Sequence, residues 1–497
     1  MLRKEKQKMI PSNLKIAGKI LSNYLKSDTY KDKIIAQNYY NNRTDILQKK
    51  KLAYVSEVDA SNTKLNTTTK ILEGDLKEVE YQTEDTLHAN NKVVVPFTRK
   101  IVDSKVDFIL STPPTLNVDN EEYSNLLQDI LDKQYHSQLR YLVKDTILKG
   151  TGYFMPFINE AGEFKVKQIP SEQIYPVYKD DFKEELTEAY RIYKEKVFNE
   201  NLEEQTITFV EHYTLQGTAY YILKDEQLIL NSERYLNEPG DNIYLPHFYY
   251  NQQPYCFTKL PLLAIRYNQE ELGIVNYLKS LVDDFERSLS NCSNSIEDNL
   301  NYILALYGAG AEPIGSLHSK LQKFKSLKLA EGGKLDVLKT EINTEQVTVH
   351  LKNLEELIYS TGRAVNNHKE ADGNISGVSL KLRYQDLLAD SSGIARELEA
   401  MLDNLLFFID VFLNITTHKD FSSEKVQFVF ALNLITDSLE VINQITSSPY
   451  LSIKSQISMN PLVSDVDVEI ERLIGEGVLI RDEEGNLKPK QDQATVN

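Results

Sequence analysis

Cysteine is nearly missing from this chain. Two residues in 497, Cys256 and Cys292, cannot build a disulfide framework and show none of the spacings of a structural zinc site. A reducing, cytosolic setting is therefore expected. Long apolar runs are missing as well. The stretch LLFFIDVFL (Leu405–Leu413) carries a charge and falls short of the ~20 residues a membrane span needs, so no membrane association is expected. The basic opening MLRKEKQKMIPSNLK leads into no apolar segment and does not read as a signal peptide. Basic excess is the third absence: 56 Lys and Arg stand against 73 Asp and Glu, a net charge of −17. A protein that clamps nucleic acid through counterion release presents a basic face. This composition suits a soluble acidic protein, or a wall past which DNA slides, better than a clamp.

Catalytic and metal-binding patterns are sparse too. The eight histidines are scattered, and no His-x-x-x-His or His-Glu-x-x-His occurs, so metal-ligand spacing is lacking. His212 and His247, inside strand-like sequence, read as satisfied core or edge residues. YGAGAEPIG (Tyr307–Gly315) is glycine-rich, but no Lys-Ser/Thr pair follows, so it reads as a turn rather than a phosphate loop. Asp283-Asp284 and Glu355-Glu356 are adjacent on helices, where neighbours splay apart; solvated faces are expected. No cofactor, metal or enzymatic activity is expected.

What is present is a folded chain large enough for two to four domains, with 41% hydrophobic and 26% charged residues. From about residue 28 to 60 a polar helix and then a loop are expected, with Ile34, Ile35, Asn38 and Tyr39 at helical spacing and Tyr39-Tyr40-Asn41-Asn42 suiting the helix end. Another carries Ile101, Val102, Val106, Ile109 and Leu110 at 3.6-residue spacing and stops at Thr112-Pro113-Pro114, since proline cannot continue it. A third is expected over Glu121–Lys149, closing at Gly150. From about 150 to 260 the chain alternates like antiparallel sheet, opening with a hairpin of Phe154, Phe157, Phe164, Val166 and Ile169 around Glu160-Ala161-Gly162.

Helix then returns. Leu272, Val275, Leu278, Leu281, Val282, Phe285 and Leu289 form one stripe, with Glu270, Glu271, Asp283, Asp284 and Glu286 on the other positions. A small mixed module follows, too short for a robust core of its own. Next come a helix over Asn343–Val365 and the polar, glycine-bearing stretch NNHKEADGNISGVSL (Asn366–Leu380). The longest helix is expected from Ser376 to Asn414, with Leu387, Ile394, Leu398, Met401, Leu405, Ile409 and Phe412 inward and a possible kink at Ser392-Gly393. Short helices are expected at Ile435–Ser447, Ser452–Ser458 and Asp465–Gly475, before a polar tail.

The order of these pieces resembles the portal (head–tail connector) proteins of tailed double-stranded DNA bacteriophages, in the long-tailed branch. The resemblance is carried by NNKVVVPFTRKIVDSKVDFILSTPP, GTGYFMPFINEAGEFKVKQIPSEQIYPVYKDD with EAYRIYKEK, KSLVDDFERSLSNCSNSIEDNLNYILALYG and NISGVSLKLRYQDL, over roughly residues 30–475. Within VDFILSTPP the chain departs from the family, which carries a glycine and a second small residue there.

The resemblance implies an α+β portal fold. Residues 1–265 would be the wing, 266–295 a stem helix, 296–342 the clip and 343–365 a second stem helix. Residues 366–377 would be the tunnel loop, 378–418 a long wing helix, 419–480 a helical crown and 481–497 a disordered tail. It also implies a homo-oligomeric ring of about twelve subunits at one capsid vertex, in the virion and, during assembly, in the host cytoplasm. Implied partners are double-stranded DNA, the terminase large subunit, a head-completion adaptor, and the major capsid and scaffolding proteins. DNA-facing loop residues would be His368, Lys369, Glu370, Asp372, Gly373, Asn374, Ser376 and Gly377. His368 and Lys369 can touch phosphates while Glu370 and Asp372 limit the grip. In the clip, Ser319, Lys320, Lys323 and Lys325 read either as a terminase or adaptor contact or as a solvated helix face. Two other readings stand beside the portal: a DNA-processing enzyme with an unrecognised carboxylate site, and a cytosolic helical scaffold unrelated to phage.

Overall fold

The structure, a computed structural model, describes residues 14–50, 52–55, 81–84, 89–180, 183, 185–198, 203–235, 243–297, 302–307, 334–339, 344–366, 377–432, 452–458, 463, 466–481 and 487–489. The chain enters through helices α1 (Leu14–Tyr24) and α2 (Asp28–Tyr40). Ser27 caps α2 by accepting the Tyr30 N–H. Asn42 closes it in the left-handed conformation, φ 58°, which asparagine tolerates. Strands β1 (Leu52–Val55) and β2 (Tyr81–Glu84) pair antiparallel. Helix α3 (Phe97–Leu110) buries all five apolar residues that define its stripe, and Pro113-Pro114 lead into strand β3 (Thr115–Val118).

The single helix expected over Glu121–Lys149 is two, α4 (Glu121–Ile130) and α5 (Lys133–Lys149). Asp132 makes the break: its carboxylate accepts the Tyr135 N–H at 2.8 Å and starts a new helix. Gly150, φ 86°, terminates α5 as expected.

The sheet region is antiparallel, as its alternation implies, but forms separate sheets. Strands β4 (Thr151–Ile158) and β5 (Phe164–Ile169) make the expected hairpin. In a second sheet, β6 (Ile174–Tyr178), β7 (Leu186–Phe198), β8 (Glu204–Thr214), β9 (Gly217–Lys224) and β10 (Gln227–Leu230) pair in sequence order. A small hairpin, β11 (Phe248–Tyr250) with β12 (Gln253–Tyr255), follows, and β13 (Leu263–Arg266) adds to β4. His212 and His247 are satisfied, as expected. The His212 Nε2 lies 2.9 Å from Glu188 Oε2. His247 donates from Nε2 to the Thr214 carbonyl and accepts the Phe257 N–H at Nδ1.

Helix α6 (Ile274–Glu297) buries Val275, Leu278 and Val282. Leu272 precedes the helix and is exposed. The two strands described beyond it, β14 (Tyr302–Tyr307) and β15 (Lys334–Lys339), form an antiparallel hairpin. Helix α7 (Thr344–Thr361) returns against α6, burying Leu354 and Ile358. Helix α8 (Gly377–Thr417) is one element of 41 residues, about 60 Å at ~1.5 Å per residue. It runs through Ser392-Gly393 without interruption, and its seven expected apolar positions are all buried. All but Leu387 join α3, α5 and β4 in one core.

The C-terminal part is not helix alone. Strand β16 (Val426–Val429) pairs with β3, some 300 residues earlier. Helices α9 (Ile453–Ser458) and α10 (Val466–Gly475) lie where expected, while Ile435–Ser447 falls outside the described residues. The tail expected to be disordered from 481 contributes a strand: β18 (Leu487–Pro489) pairs with β17 (Leu479–Arg481).

One correction concerns α6. Glu286 belongs to its buried face, not to a solvated one, because it continues the i+4 series 278, 282, 286, 290, 294. The lower half of that series is a polar ladder. Val95 donates its N–H to Glu286 Oε1 at 2.9 Å, Val93 to Ser290 Oγ at 3.0 Å and Asn91 to Asn294 Oδ1 at 2.5 Å. Four residues of helix advance about 6 Å and two of extended chain about 6.6 Å, so the two repeats keep step. An extended segment is thereby held along a helix without backbone pairing.

Candidate functional site

The loop singled out in the sequence leaves α7 and enters α8. His368, Lys369, Glu370, Asp372, Gly373, Asn374 and Ser376 lie outside the described residues, as do Ser319, Lys320, Lys323 and Lys325 of the module between α6 and α7. Gly377 is the first residue of α8. What the structure does describe is the pair of helix ends from which this loop departs.

Helix α7 ends in a tight reverse turn. The Ala364 N–H reaches back to the Tyr359 carbonyl and the Arg363 N–H to that of Ser360, each at 3.0 Å. Arg363 holds the left-handed position, φ 47°, usually occupied by glycine or asparagine. The chain packs closely here, since a Cβ on Gly362 would lie 3.0 Å from Ile101 of α3.

Four side chains from four segments meet beside this turn. Lys105 of α3 is fully buried and forms an ion pair with Asp390 Oδ2 of α8. The Tyr267 hydroxyl donates to the same oxygen at 2.8 Å and accepts from Lys105 Nζ at 3.1 Å. Arg363 approaches the other oxygen, Oδ1, at 3.3 Å. Burial pushes the Lys105 ammonium down from its ordinary value, opposed by the attraction of Asp390. Burial and then the Asp390 charge push the Tyr267 phenol up. Lys105 stays paired because a lone charge at this depth would cost several kcal/mol. This is an electrostatic tie, not a reaction centre. Among the described residues no group of three or more His, Cys, Asp or Glu is arranged to hold a metal ion.

The sequence reading missed these residues, although a signal was there. Lys105 falls on the i, i+4, i+8 line of Ile101 and Ile109, and Asp390 lies between Leu387 and Ile394 on the inner stripe of α8. A charge inside an apolar stripe calls for a partner of opposite sign.

The helix α6 face expected to be acidic and solvated is largely paired. Asp283 receives the Tyr39 hydroxyl and lies 2.7 Å from Lys279. Asp284 pairs with Arg287 at 2.6 Å and lies 3.4 Å from His350 of α7. Glu271 pairs with Lys183 and Arg266. These carboxylates tie elements together within the subunit. No described helix is long and apolar enough to cross a membrane.

An α+β body carrying a helix–hairpin–helix excursion, with a carboxylate tie at its base, defines a structural class of protein. The chain belongs to the phage portal protein family described as SPP1 Gp6-like, which it matches over residues 27–477. It is 24% identical over 412 residues to the portal protein of Bacillus phage SPP1, covering 82% of this chain and 80% of that one. It is also 24% identical over 455 residues to the portal protein of Clostridium phage phiCD119, covering 88% and 90%. Among solved structures, the neck of an empty GTA particle computed with C6 symmetry aligns over 74% of this chain and 90% of that one, with TM-score 0.42 and 10% identity. Portal proteins are virion components with a structural rather than an enzymatic role.

Proposed function

We propose that the chain assembles into a homo-oligomeric ring of about twelve copies at one capsid vertex. The ring is the conduit for double-stranded DNA, inward during packaging and outward at ejection. Helices α6 and α7 form its stem, and residues 296–342 are the clip on which the terminase large subunit docks first and a head-completion adaptor later. The sheet-bearing body faces the major capsid and scaffolding proteins. The loop 366–377 faces the DNA, and the subunits assemble in the host cytoplasm before entering the virion. The observation that carries this reading is the match to the portal family over 27–477, which spans the excursion α6 to α7, the loop and all of α8.

Two physical points support it. Among the described residues, strands β14 and β15 pair only with each other, and an open two-stranded sheet gains stability by pairing with a neighbour. A net charge of −17 per subunit repels rather than traps a polyanion. The test is electron microscopy of the purified protein together with its mass in solution. Rings with one central hole and a mass near twelve subunits are expected. A monodisperse monomer or dimer at every concentration and salt condition overturns the reading.

A further inference from the structure

We propose that Asp390 is a positioning residue, the pivot where both ends of the stem-and-clip excursion are fastened to the long helix. The naming of stem and clip rests on the ring reading above; the fastening is a property of the single subunit.

The geometry supplies the argument. Tyr267 lies seven residues before α6, and Arg363 lies two residues after α7. The described elements between them are α6, the β14–β15 hairpin and α7. Both ends reach one carboxylate, Tyr267 at Oδ2 and Arg363 at Oδ1. Lys105 anchors that carboxylate to α3 and so to the body. Asp390 itself sits thirteen residues into α8, about 20 Å along the helix axis at ~1.5 Å per residue. The turns of α8 before Asp390 therefore form an arm whose fixed point is this side chain.

The ties are unequal. Lys105 is 0% exposed and Asp390 9%; they neutralise each other and hold the centre permanently, since parting them would leave two buried charges. Arg363 is a second cation for a charge already balanced, and its side chain is 61% exposed. It can let go without stranding a buried charge. The backbone agrees. Arg363 occupies a left-handed position for which arginine has no preference, whereas α2 and α5 end on Asn42 and Gly150. A glycine would terminate α7 with less strain, but α8 also closes on a left-handed non-glycine, His418 at φ 58°, so the conformation alone does not single out Arg363. The tie to Asp390 does.

The test uses the full-length protein and amide hydrogen exchange. Arg363→Gly keeps or improves the turn and removes only the tie. Its melting temperature is expected to equal or exceed that of the parent. Exchange is expected to rise about two- to five-fold across 377–389, the Boltzmann factor of a partly exposed ion pair. Arg363→Lys keeps the charge and is expected to restore protection. Tyr267→Phe, which cuts the other tie without touching the backbone, is expected to loosen the same 377–389 amides. Changes confined to 360–366 for Arg363→Gly, or to the neighbourhood of 267 for Tyr267→Phe, overturn the proposal. Micrographs of the same samples keep the two readings apart. Rings with unchanged exchange at 377–389 sink the positioning role alone, and absent rings with the expected exchange sink the ring alone.

Discussion

Replacing Glu286 by alanine is expected to peel residues 91–95 from helix α6. The Glu286 side chain is fully buried and accepts two hydrogen bonds, from the Val95 N–H at 2.9 Å and the Thr44 hydroxyl at 2.5 Å. Each buried donor left unpaired costs ~1–3 kcal/mol. Removing a buried carboxylate returns part of that, because burial without a cation is itself unfavourable. The net loss is about 2–4 kcal/mol. Glu286→Gln separates hydrogen bonding from charge. Its amide oxygen still accepts from Val95, and its NH2 group can donate to the Thr44 oxygen, so the change is expected to stay within ~1 kcal/mol.

The acid behaviour of Glu286 supplies an independent check. Burial raises its carboxyl above the ordinary glutamate value, against the lowering effect of its bonds to Thr44 and Val95. A raised folded-state value means the native protein binds the proton more tightly than the unfolded chain. The contribution of Glu286 is therefore fully present below the unfolded value and is lost as pH rises through the folded one. Relative to the parent, Glu286→Gln should gain stability on going from acid to neutral pH. Urea unfolding at several pH values, with amide exchange at 91–95, reads both effects. Glu286→Ala within 0.5 kcal/mol of the parent (about the noise of such a measurement) would refute the ladder, and a Gln variant as damaged as Ala would refute its account.

Three further perturbations test the stem, the long helix and the loop. A Cβ on Gly273 would lie 2.1 Å from the Leu148 carbonyl oxygen, so Gly273→Ala is expected to destabilise by about 1–3 kcal/mol. Gly393, where an added Cβ meets nothing within 4 Å, should gain ~0.5–1 kcal/mol as alanine; equal melting temperatures for the two variants contradict the close packing of α5 on the start of α6. Deleting His368–Asn374 should leave rings assembled while packaged or retained DNA falls. Full-length packaging by that deletion rules out a working role for the loop.

Periodicity made much of this fold readable. Ile101, Val102, Val106, Ile109 and Leu110 follow the helical repeat and are all buried. The β4–β5 hairpin announced itself by alternation and a Gly162 turn with φ 79°. Elements whose evidence is not periodic were missed. The break between α4 and α5 depends on one carboxylate, Asp132, choosing the Tyr135 N–H, while the apolar repeat runs on through Leu127 and Leu131. The pairing of β16 with β3 joins segments about 300 residues apart, and nothing local in either four-residue strand names its partner. For the site, the sequence singled out the segment between α7 and α8 but not the Lys105–Asp390 pair beside it.

That pair is where stripe logic and charge logic meet. Read one helix at a time, Lys105 and Asp390 are blemishes on otherwise apolar faces. Together they are equal and opposite, and they meet as a buried ion pair. Sliding α3 along α8 by one turn, about 5.4 Å, would leave the apolar residues in largely apolar surroundings, because Leu, Ile and Val tolerate exchange of partners. The same slide would strand both charges in the core, at about 3–5 kcal/mol for a broken buried pair. Apolar burial therefore drives the two helices together, whereas the charge pair fixes their register. Fixing it also sets the level at which Tyr267 and Arg363 must arrive to reach Asp390.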